Sequence, residues 1–345
     1  MTQATSSQAA NGGLLDADTP DTVRMSPVEA ADLARRALDR IGYSTEDAQI
    51  ISDQLIDNAL CGYRFASLPR ILAIAGNEKT RKQRRPLRVV HETPLSALID
   101  GGNNIGYVAV YHATQTAIRK ARESGFASVG VYDSYYSGRN AYFVEMIANA
   151  GFVGIHTVSA QPHVLPIGGK EPAFGTNPLC FGFPSANGPV IYDMGTASIM
   201  IGEIQLFAHI GQELPEGIAY DADGNPTRDA NAALQGGWVP FGGHKGYGLS
   251  FAVQALGLLA GAALAHGNVQ DYGFLLFVLD PKLMLPGGEF PAQMAQFVDK
   301  VKATPRREGV DEIRIPGERA FRERERRRKE GLVFDRKVVD SLYAL

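Results

Sequence analysis

Apolar residues near the start of the chain recur with a helical period. The segment Ser26–Glu29 supplies an N-cap, a proline at the first helical position and a capping-box glutamate. The sequence therefore predicts a first helix that ends at Gly42, followed by a second helix from Ser44 to Gly62. Residues 1–24 have no such period and are rich in small and polar residues, which predicts a disordered leader.

Helical and strand-like patterns alternate further along the chain. Strands are predicted between residues 87 and 99 and then at Phe126–Tyr132, Phe152–Val158, Leu179–Phe183, Val190–Met194 and Phe274–Leu279. Helices are predicted at Val108–Ser124, Tyr142–Ala150, Leu249–Ala263 and Phe290–Lys302. The high density of Gly and Pro from 159 to 248 predicts short strands joined by long functional loops.

The tail of the chain is strongly charged and favours a solvent-facing helix. Three oppositely charged pairs spaced i,i+4 would support it: Glu318–Arg322, Glu323–Arg327 and Glu325–Lys329. A basic run from Lys79 to Arg85 has no interleaved aromatic residues, so a solvated loop is favoured over an anion site.

Composition narrows the class of protein. The 345 residues are 45% hydrophobic and carry a formal net charge of -3, which is typical of a globular protein and unlike the strongly basic domain of a nucleic-acid binder. Two distant cysteines, Cys61 and Cys180, argue against a disulfide framework and suit a reducing cytoplasm. The longest apolar stretch, roughly Leu249 to Ala265, is short for a membrane span and favours a buried helix.

Common catalytic and nucleotide-binding motifs are missing from the sequence. No G-x-G-x-x-G follows a predicted strand, and Gly242–Gly246 lacks the spacing and the Ser/Thr of a P-loop. No G-x-S-x-G segment is present, and the seven histidines have no metal-ligand spacing, so no metal site is expected.

Several segments in order nevertheless form a specific set. They are Asp100-Gly101, Pro166-Ile167-Gly168-Gly169, Phe174-Gly175-Thr176-Asn177-Pro178, Asp193-Met194-Gly195-Thr196, Asp221-Ala222-Asp223-Gly224-Asn225-Pro226-Thr227, Pro240-Phe241-Gly242-Gly243-His244-Lys245-Gly246-Tyr247-Gly248-Leu249 and Ile315-Pro316-Gly317-Glu318. With this set the chain resembles the type-2 malate/L-lactate dehydrogenase family, which includes ureidoglycolate dehydrogenases, diketogulonate reductases and piperideine-carboxylate reductases. The resemblance covers about residues 26 to 340.

The resemblance implies an α+β fold that differs from the Rossmann fold. A mainly antiparallel sheet over residues 87–289 would bind NAD or NADP, and a helical domain would form from both chain ends, 25–86 and 290–345. Family members are usually homodimers with the site near the subunit contact. The small-residue helix Leu249–Ala263 would suit close packing in such a dimer.

The resemblance also implies which residues contact the cofactor. They are Ser159, Ala160, Gly168, Gly169, Asp193, Met194, Gly195, Thr196, Lys245, Gly246, Pro316, Gly317 and Glu318. These residue types suit contacts with a dinucleotide, because glycines let the backbone approach a pyrophosphate closely and a lysine places a point charge against phosphate. Taken alone, Gly242–Gly248 would equally suit a turn that leads into a helix, and Asp193 could simply satisfy a buried turn.

The chain departs from the family at the residues that move protons. Where members usually have G-x-x-S-H-G-x-x-R, this chain has Phe65 and Ala66 in the serine and histidine positions, although Arg70 is retained. In the N-S-x-H-F-G segment, Tyr136 occupies the histidine position. In the A-x-G-K segment, Glu203 occupies the lysine position. We therefore expect poor turnover of malate, lactate and pyruvate.

The retained and altered residues point to an unusual reductase. Tyr136 and Asp193 are the candidate catalytic residues, Arg70 can hold a substrate carboxylate in a bidentate geometry, and Phe65 and Thr176 are further substrate contacts. The expected substrate has a C=O or C=N bond next to a carboxylate. Two alternatives stay open: a degenerate family member that serves as a structural or regulatory partner, and a cofactor-binding enzyme with redox-neutral chemistry.

Overall fold

A computed structural model describes residues 19–345, which form two compact units. The smaller unit combines described residues up to 83 with residues 316–345, and the larger unit comprises residues 84–315. Residues 1–18 of the predicted leader lie outside the described residues.

The bounds of the elements are as follows. The helices are α1 (Pro27–Arg40), α2 (Thr45–Leu60), α3 (Pro69–Gly76), α4 (Glu78–Arg81), α5 (Gly106–Ser124), α6 (Asn140–Asn149), α7 (Ile201–Ile210), α8 (Ala230–Gln235), α9 (His244–Leu259), α10 (Phe290–Lys302), α11 (Glu318–Glu330) and α12 (Arg336–Ala344). The strands are β1 (Thr22–Met25), β2 (Arg88–Thr93), β3 (Ser96–Ile105), β4 (Phe126–Tyr135), β5 (Val153–Ser159), β6 (Leu179–Phe183), β7 (Val190–Met194), β8 (Ala219–Tyr220), β9 (Gly237–Trp238), β10 (Gly273–Leu279) and β11 (Leu332–Asp335).

In the smaller unit, local capping defines where the first helix begins. Ser26 and Glu29 form the predicted capping box, and the apolar side of α1 packs against α2. The predicted leader is wrong for residues 22–24, because β1 pairs antiparallel with β11 near the other end of the chain. That pairing depends on a partner more than 300 residues away, so a local pattern does not reveal it.

Helix α11 has some of the predicted ion pairs but does not face solvent on all sides. Glu318–Arg322 and Glu323–Arg327 lie at 2.6 and 3.0 Å, whereas Glu325 pairs with Arg328 at 2.7 Å. Arg327 is buried, and the Nε of Arg324 lies 2.9 Å from a carboxylate oxygen of Asp57 on α2. One side of this charged helix therefore packs against α2, with the Arg324–Asp57 ion pair between the two helices.

The larger unit is built on a seven-stranded sheet within the described residues, in the order β2-β3-β4-β10-β5-β6-β7. The β3–β4 pair is parallel and joined through α5, and the other neighbours are antiparallel. The predicted α+β class with a mainly antiparallel sheet is confirmed. Helices α5 and α6 enclose an apolar core on one side of the sheet, and α9 packs against β5 and β10.

Residues 290–315 group with the larger unit in the structure, although the sequence predicted them as part of the helical domain. Helix α10 has the predicted bounds, and the carbonyl of Pro291 accepts a hydrogen bond from the N–H of Ala186, which follows β6. Among the described residues, no helix is long and apolar enough to cross a membrane.

Candidate active site

A buried amide organises the loops of the larger unit. Asn177 has no exposed surface and a left-handed φ of 36°. Its Nδ2 donates to the carbonyl of Ser250 and to Oε1 of Gln254, and its Oδ1 accepts the N–H of Ala160. One side chain thus ties the G-T-N-P loop to helix α9 and to the end of β5.

Two threonines continue this network. The carbonyl of Thr176 accepts hydrogen bonds from both the N–H and the hydroxyl of Thr196. The Ser250 hydroxyl lies 2.9 Å from Oγ1 of Thr196 and 2.9 Å from the carbonyl of Gly246. The structure therefore brings together Ala160, Thr176, Thr196 and Gly246, four residues that the sequence predicted as ligand contacts.

The first turn of α9 is open. Gly242 and Gly243 have φ values of 57° and 62°, and no atom lies within 4 Å of where a side chain on either would begin. No side chain caps the helix, and His244 and Lys245 are exposed. Uncapped N–H groups at a helix N-terminus carry partial positive charge and suit a phosphate, and Lys245 adds a full charge beside them.

The remaining predicted cofactor residues of this unit differ in how accessible they are to a ligand. Gly168 and Gly169 lie in an exposed loop, whereas the Ser159 hydroxyl is buried between the carbonyl of Asp271 and the N–H of Gly273 at 2.9 Å each. On the half-buried stretch after β7, a side chain on Gly195 would begin 2.9 Å from Sδ of Met200. The Tyr192 hydroxyl lies 2.7 Å from Sδ of Met194.

Tyr136 sits in a strained turn directly after β4. Its φ of 45° is unusual for an aromatic residue, and such strain persists only where the surrounding structure enforces it. The half-buried ring contacts Tyr135 and Tyr272, with ring centroids 5.9 and 6.5 Å away. Backbone strain at this position supports a functional role for the turn.

The carboxylate of Asp193 points toward helix α6. Its Oδ2 accepts the N–H of Ala141 at 2.8 Å, and the N–H of Asn140 also donates to the carboxyl. Burial raises the pKa of Asp193, while these N–H groups and the nearby charge of Arg139 oppose that increase. Burial and the adjacent Asp193 also raise the pKa of Cys180, so this thiol stays protonated at neutral pH.

A charged cluster near Tyr136 was not singled out in the sequence. Arg85 bridges Asp133 at 2.8 Å and Asp100 at 3.3 Å, and Nδ1 of His266 lies 3.0 Å from Asp271. Asp133 has a left-handed φ of 48°, and the only indication of its importance in the sequence was its place as the first residue of the N-S-x-H-F-G segment. The buried hydrogen-bond network around Asn177 had one indication in the sequence, the polar Gln254 within an otherwise apolar helix.

Other predicted site residues belong to the smaller unit. Arg70 is the second residue of α3 and is half-buried, and Phe65 in the preceding turn is 47% exposed. Pro316 and Gly317 precede α11, and Glu318 is engaged by Arg322 in the same helix.

Comparisons with known proteins assign the chain to a family. The model of the malate/L-lactate dehydrogenase family matches residues 25–343. The malate/(S)-sulfolactate dehydrogenase of Methanothermus fervidus is 36% identical, over 92% of this chain and 96% of its own. A Δ1-pyrroline-2-carboxylate/Δ1-piperideine-2-carboxylate reductase of Pseudomonas aeruginosa is 31% identical, over 94% and 99%.

A solved structure agrees with these sequence matches. The sulfolactate dehydrogenase of Methanocaldococcus jannaschii superposes with a TM-score of 0.81 at 30% identity, covering 93% of this chain and 95% of that one. With its motifs, its sheet topology and these matches over nearly the whole length, the chain belongs to the malate/L-lactate dehydrogenase family and is an oxidoreductase.

Proposed function

We propose that the protein uses NADH or NADPH to reduce a C=O or C=N bond next to a carboxylate. The observation that carries the proposal is the open, glycine-led N-terminus of α9 with the exposed Lys245 beside it. When bound, the reduced nicotinamide would supply the hydride. The chain's own residues would bind the phosphates, orient the substrate and manage the proton.

The residues of the larger unit fit a dinucleotide. A side chain on Gly242 or Gly243 would occupy the open space in front of α9, and the left-handed φ of both residues disfavours any other amino acid. Gly246 is also restricted, because a side chain there would begin 1.9 Å from the carbonyl of Phe241. We propose that the N–H groups of this turn and Lys245 bind the phosphates, while Met194, Gly195 and Thr196 border the nicotinamide.

The names of two relatives indicate a class of substrate. One acts on malate and sulfolactate, and another reduces cyclic imines that carry a carboxylate. Arg70 is our candidate for the substrate carboxylate, since a guanidinium can bind it through two parallel hydrogen bonds. Phe65 and Ala66 supply no proton, which favours an apolar substrate or an imine that is already protonated.

Tyr136 is our candidate proton donor or orienting group. The phenol is the polar part of a side chain whose backbone is kept in a strained conformation by its surroundings. Its hydroxyl O–H could donate a proton to a developing alkoxide. For an iminium substrate it would orient the ring without transferring a proton.

The cofactor part of the proposal is tested by binding. Calorimetry should show micromolar affinity for NADH or NADPH, and Lys245→Ala should weaken it by roughly 1–3 kcal/mol through loss of a charge-assisted phosphate contact. Lys282→Ala is a suitable control, because it removes an exposed lysine in the same unit. Absence of binding by the parent protein would overturn the cofactor proposal.

The proton-donor part is tested by Tyr136→Phe, which removes only the hydroxyl. With a keto acid substrate, turnover should fall by about 10²-fold or more while the Kd for the reduced cofactor is unchanged. With Δ1-piperideine-2-carboxylate, a smaller loss would support an orienting role. Turnover within a few-fold of the parent on both substrates would make the ring only a wall of the pocket.

We also propose that two copies of the chain associate through α9. Beyond its first turn, the exposed side of α9 is apolar and consists of Gly248, Phe251, Ala252, Ala255, Leu258 and Leu259. We call these six residues the α9 stripe. The stripe contains three small residues and three large ones, so a second copy related by twofold symmetry could insert its large side chains beside the small ones. An uncharged surface of this kind is typical of an interface.

A further inference from the structure

We infer that Asp193 is a positioning residue that holds the Tyr136 turn in place through the N-terminus of α6. The inference deepens the proposed function and rests on it for the activity readout alone. The geometry that carries it lies within the larger unit.

Helix α6 lacks a cap of its own. Arg139 occupies the N-cap position and makes no side-chain hydrogen bond to the first turn. The carboxylate of Asp193 reaches across from β7 and accepts the N–H groups of Asn140 and Ala141, the latter at 2.8 Å. A carboxylate at this position satisfies donors that the helix leaves unpaired and complements the helix dipole.

The segment between Tyr136 and α6 is only three residues long, so the start of the helix controls the turn. Within it, Ser137 is buried and Gly138 has a φ of 76°. The N-terminus of α5 also packs against this segment, so closely that a side chain on Gly106 would begin 3.0 Å from the backbone of Tyr136 and Ser137. The turn is therefore held between α5 and the helix that Asp193 caps.

This arrangement explains how Tyr136 keeps its left-handed backbone. A non-glycine residue at φ 45° costs free energy and relaxes unless its neighbours prevent it. Gly106 restricts the turn by close packing, and Asp193 restricts it by hydrogen bonds at the start of α6. Removal of the carboxylate would release α6 and allow the turn to relax, which would move the ring of Tyr136.

The alternative is that Asp193 itself exchanges a proton with the substrate or contacts the cofactor. Asparagine distinguishes the two roles, because its Oδ1 still accepts an N–H but does not titrate near neutral pH. A positioning role is rescued by Asp193→Asn relative to Asp193→Ala. A proton-transfer role is abolished equally by both substitutions.

The first measurement is independent of activity. Hydrogen exchange of the Asn140–Tyr142 amides should accelerate roughly 2- to 30-fold in Asp193→Ala, the range expected for a lost N-cap, and less in Asp193→Asn. With 13C-labelled tyrosine, the Tyr136 resonance, assigned through Tyr136→Phe, should shift in Asp193→Ala. Asp229→Ala is the matched control, because Asp229 caps α8 through the N–H of Asn231 at 2.8 Å.

The second measurement is kinetic. Asp193→Ala should lower kcat by about 10²-fold, the size expected for a misplaced group, with the Kd for NADH or NADPH within a few-fold of the parent. Asp193→Asn should recover most of the loss and keep the shape of the pH profile, and Asp229→Ala should stay within a few-fold of the parent. Equal inactivation by Asn and Ala with loss of one limb of the profile would overturn the inference.

The failure of this inference and that of the proposed function are distinguishable. If Asp193→Ala leaves both the α6 amides and the Tyr136 resonance unchanged, Asp193 does not position the turn, whatever the enzyme reduces. If those signals change but the parent binds no reduced nicotinamide, the proposed function fails and the positioning role stands.

Discussion

At the scale of single residues, His156 shows how burial determines protonation. Its ring is fully buried on β5, with Nδ1 3.0 Å from the carbonyl of Leu275 and an edge contact to Phe143. Burial lowers the pKa of His156 to about 4, and the hydrogen bond to Leu275 only partly opposes this effect. The native protein therefore keeps this histidine neutral at physiological pH.

We predict that His156 makes the protein sensitive to acid. The unfolded chain binds a proton near pH 6.5 and the native state near pH 4, so the stabilisation is fully present above pH 6.5 and is lost as the pH falls towards 4. The loss should amount to about 3 kcal/mol. His156→Gln, which can still donate to Leu275, should flatten the decrease in unfolding free energy measured with urea between pH 7 and 4. An unchanged slope would contradict this assignment.

At the scale of elements, α9 lies unusually close to the sheet. A side chain on Gly257 would begin 2.0 Å from Oγ of Ser159, and one on Gly273 of β10 would begin 2.2 Å from the carbonyl of Gly257. The contact connects the helix that begins at the proposed phosphate site with the centre of the sheet. It therefore holds that site at a fixed position relative to β5 and β10.

We predict that Gly257→Ala disrupts this contact. Overpacking at a buried site typically costs about 1–3 kcal/mol, so the unfolding free energy should decrease by that amount and cofactor affinity should fall with it. Gly202→Ala is the control, because this helical glycine of α7 has open space where the methyl group would lie. Denaturant titrations measure the free energy of unfolding of both variants. Equal values would show that α9 can shift to accommodate the methyl group without loss of stability.

At the scale of the whole molecule, the α9 stripe is the surface that the proposed dimer would bury. Phe251 and Leu259 are 59% and 67% exposed, and the stripe carries no charge to keep it in water. A stable dimer usually buries well over ~1,000 Å² in total, more than one helix face provides, so neighbouring surface must contribute.

We predict that Leu259→Glu yields a monomer, because a carboxylate would be buried without a partner in the dimer. Light scattering at micromolar concentration should report about twice the chain mass for the parent and the chain mass for the variant. Val28→Glu is the matched control, since Val28 is 69% exposed on α1 and is not part of the α9 stripe. A monomeric parent would rule out the dimer.

The sequence by itself determined the elements whose signals are local. Ser26 and Glu29 placed the start of α1. The structure also reproduces the predicted bounds of β6, β7 and α10. Both results follow because helix capping and hydrophobic periodicity depend on residues that are neighbours in the sequence. Ordered motifs such as G-T-N-P were sufficient for the family. Short helices without a clear period, such as α7 and α8, were not predicted.

Only the tertiary structure decided which distant groups meet. The structure pairs β1 with β11 and assigns residues 290–315 to the larger unit. It also shows that Asn177 is hydrogen-bonded to Ser250 and Gln254. It also turned Asp193 towards α6, where the sequence left open a catalytic carboxylate, a cofactor contact or a group that satisfies a buried turn. Hydrogen-bond partners far apart in the chain depend on how the sheet is ordered and on which face each side chain occupies, and no local pattern records either.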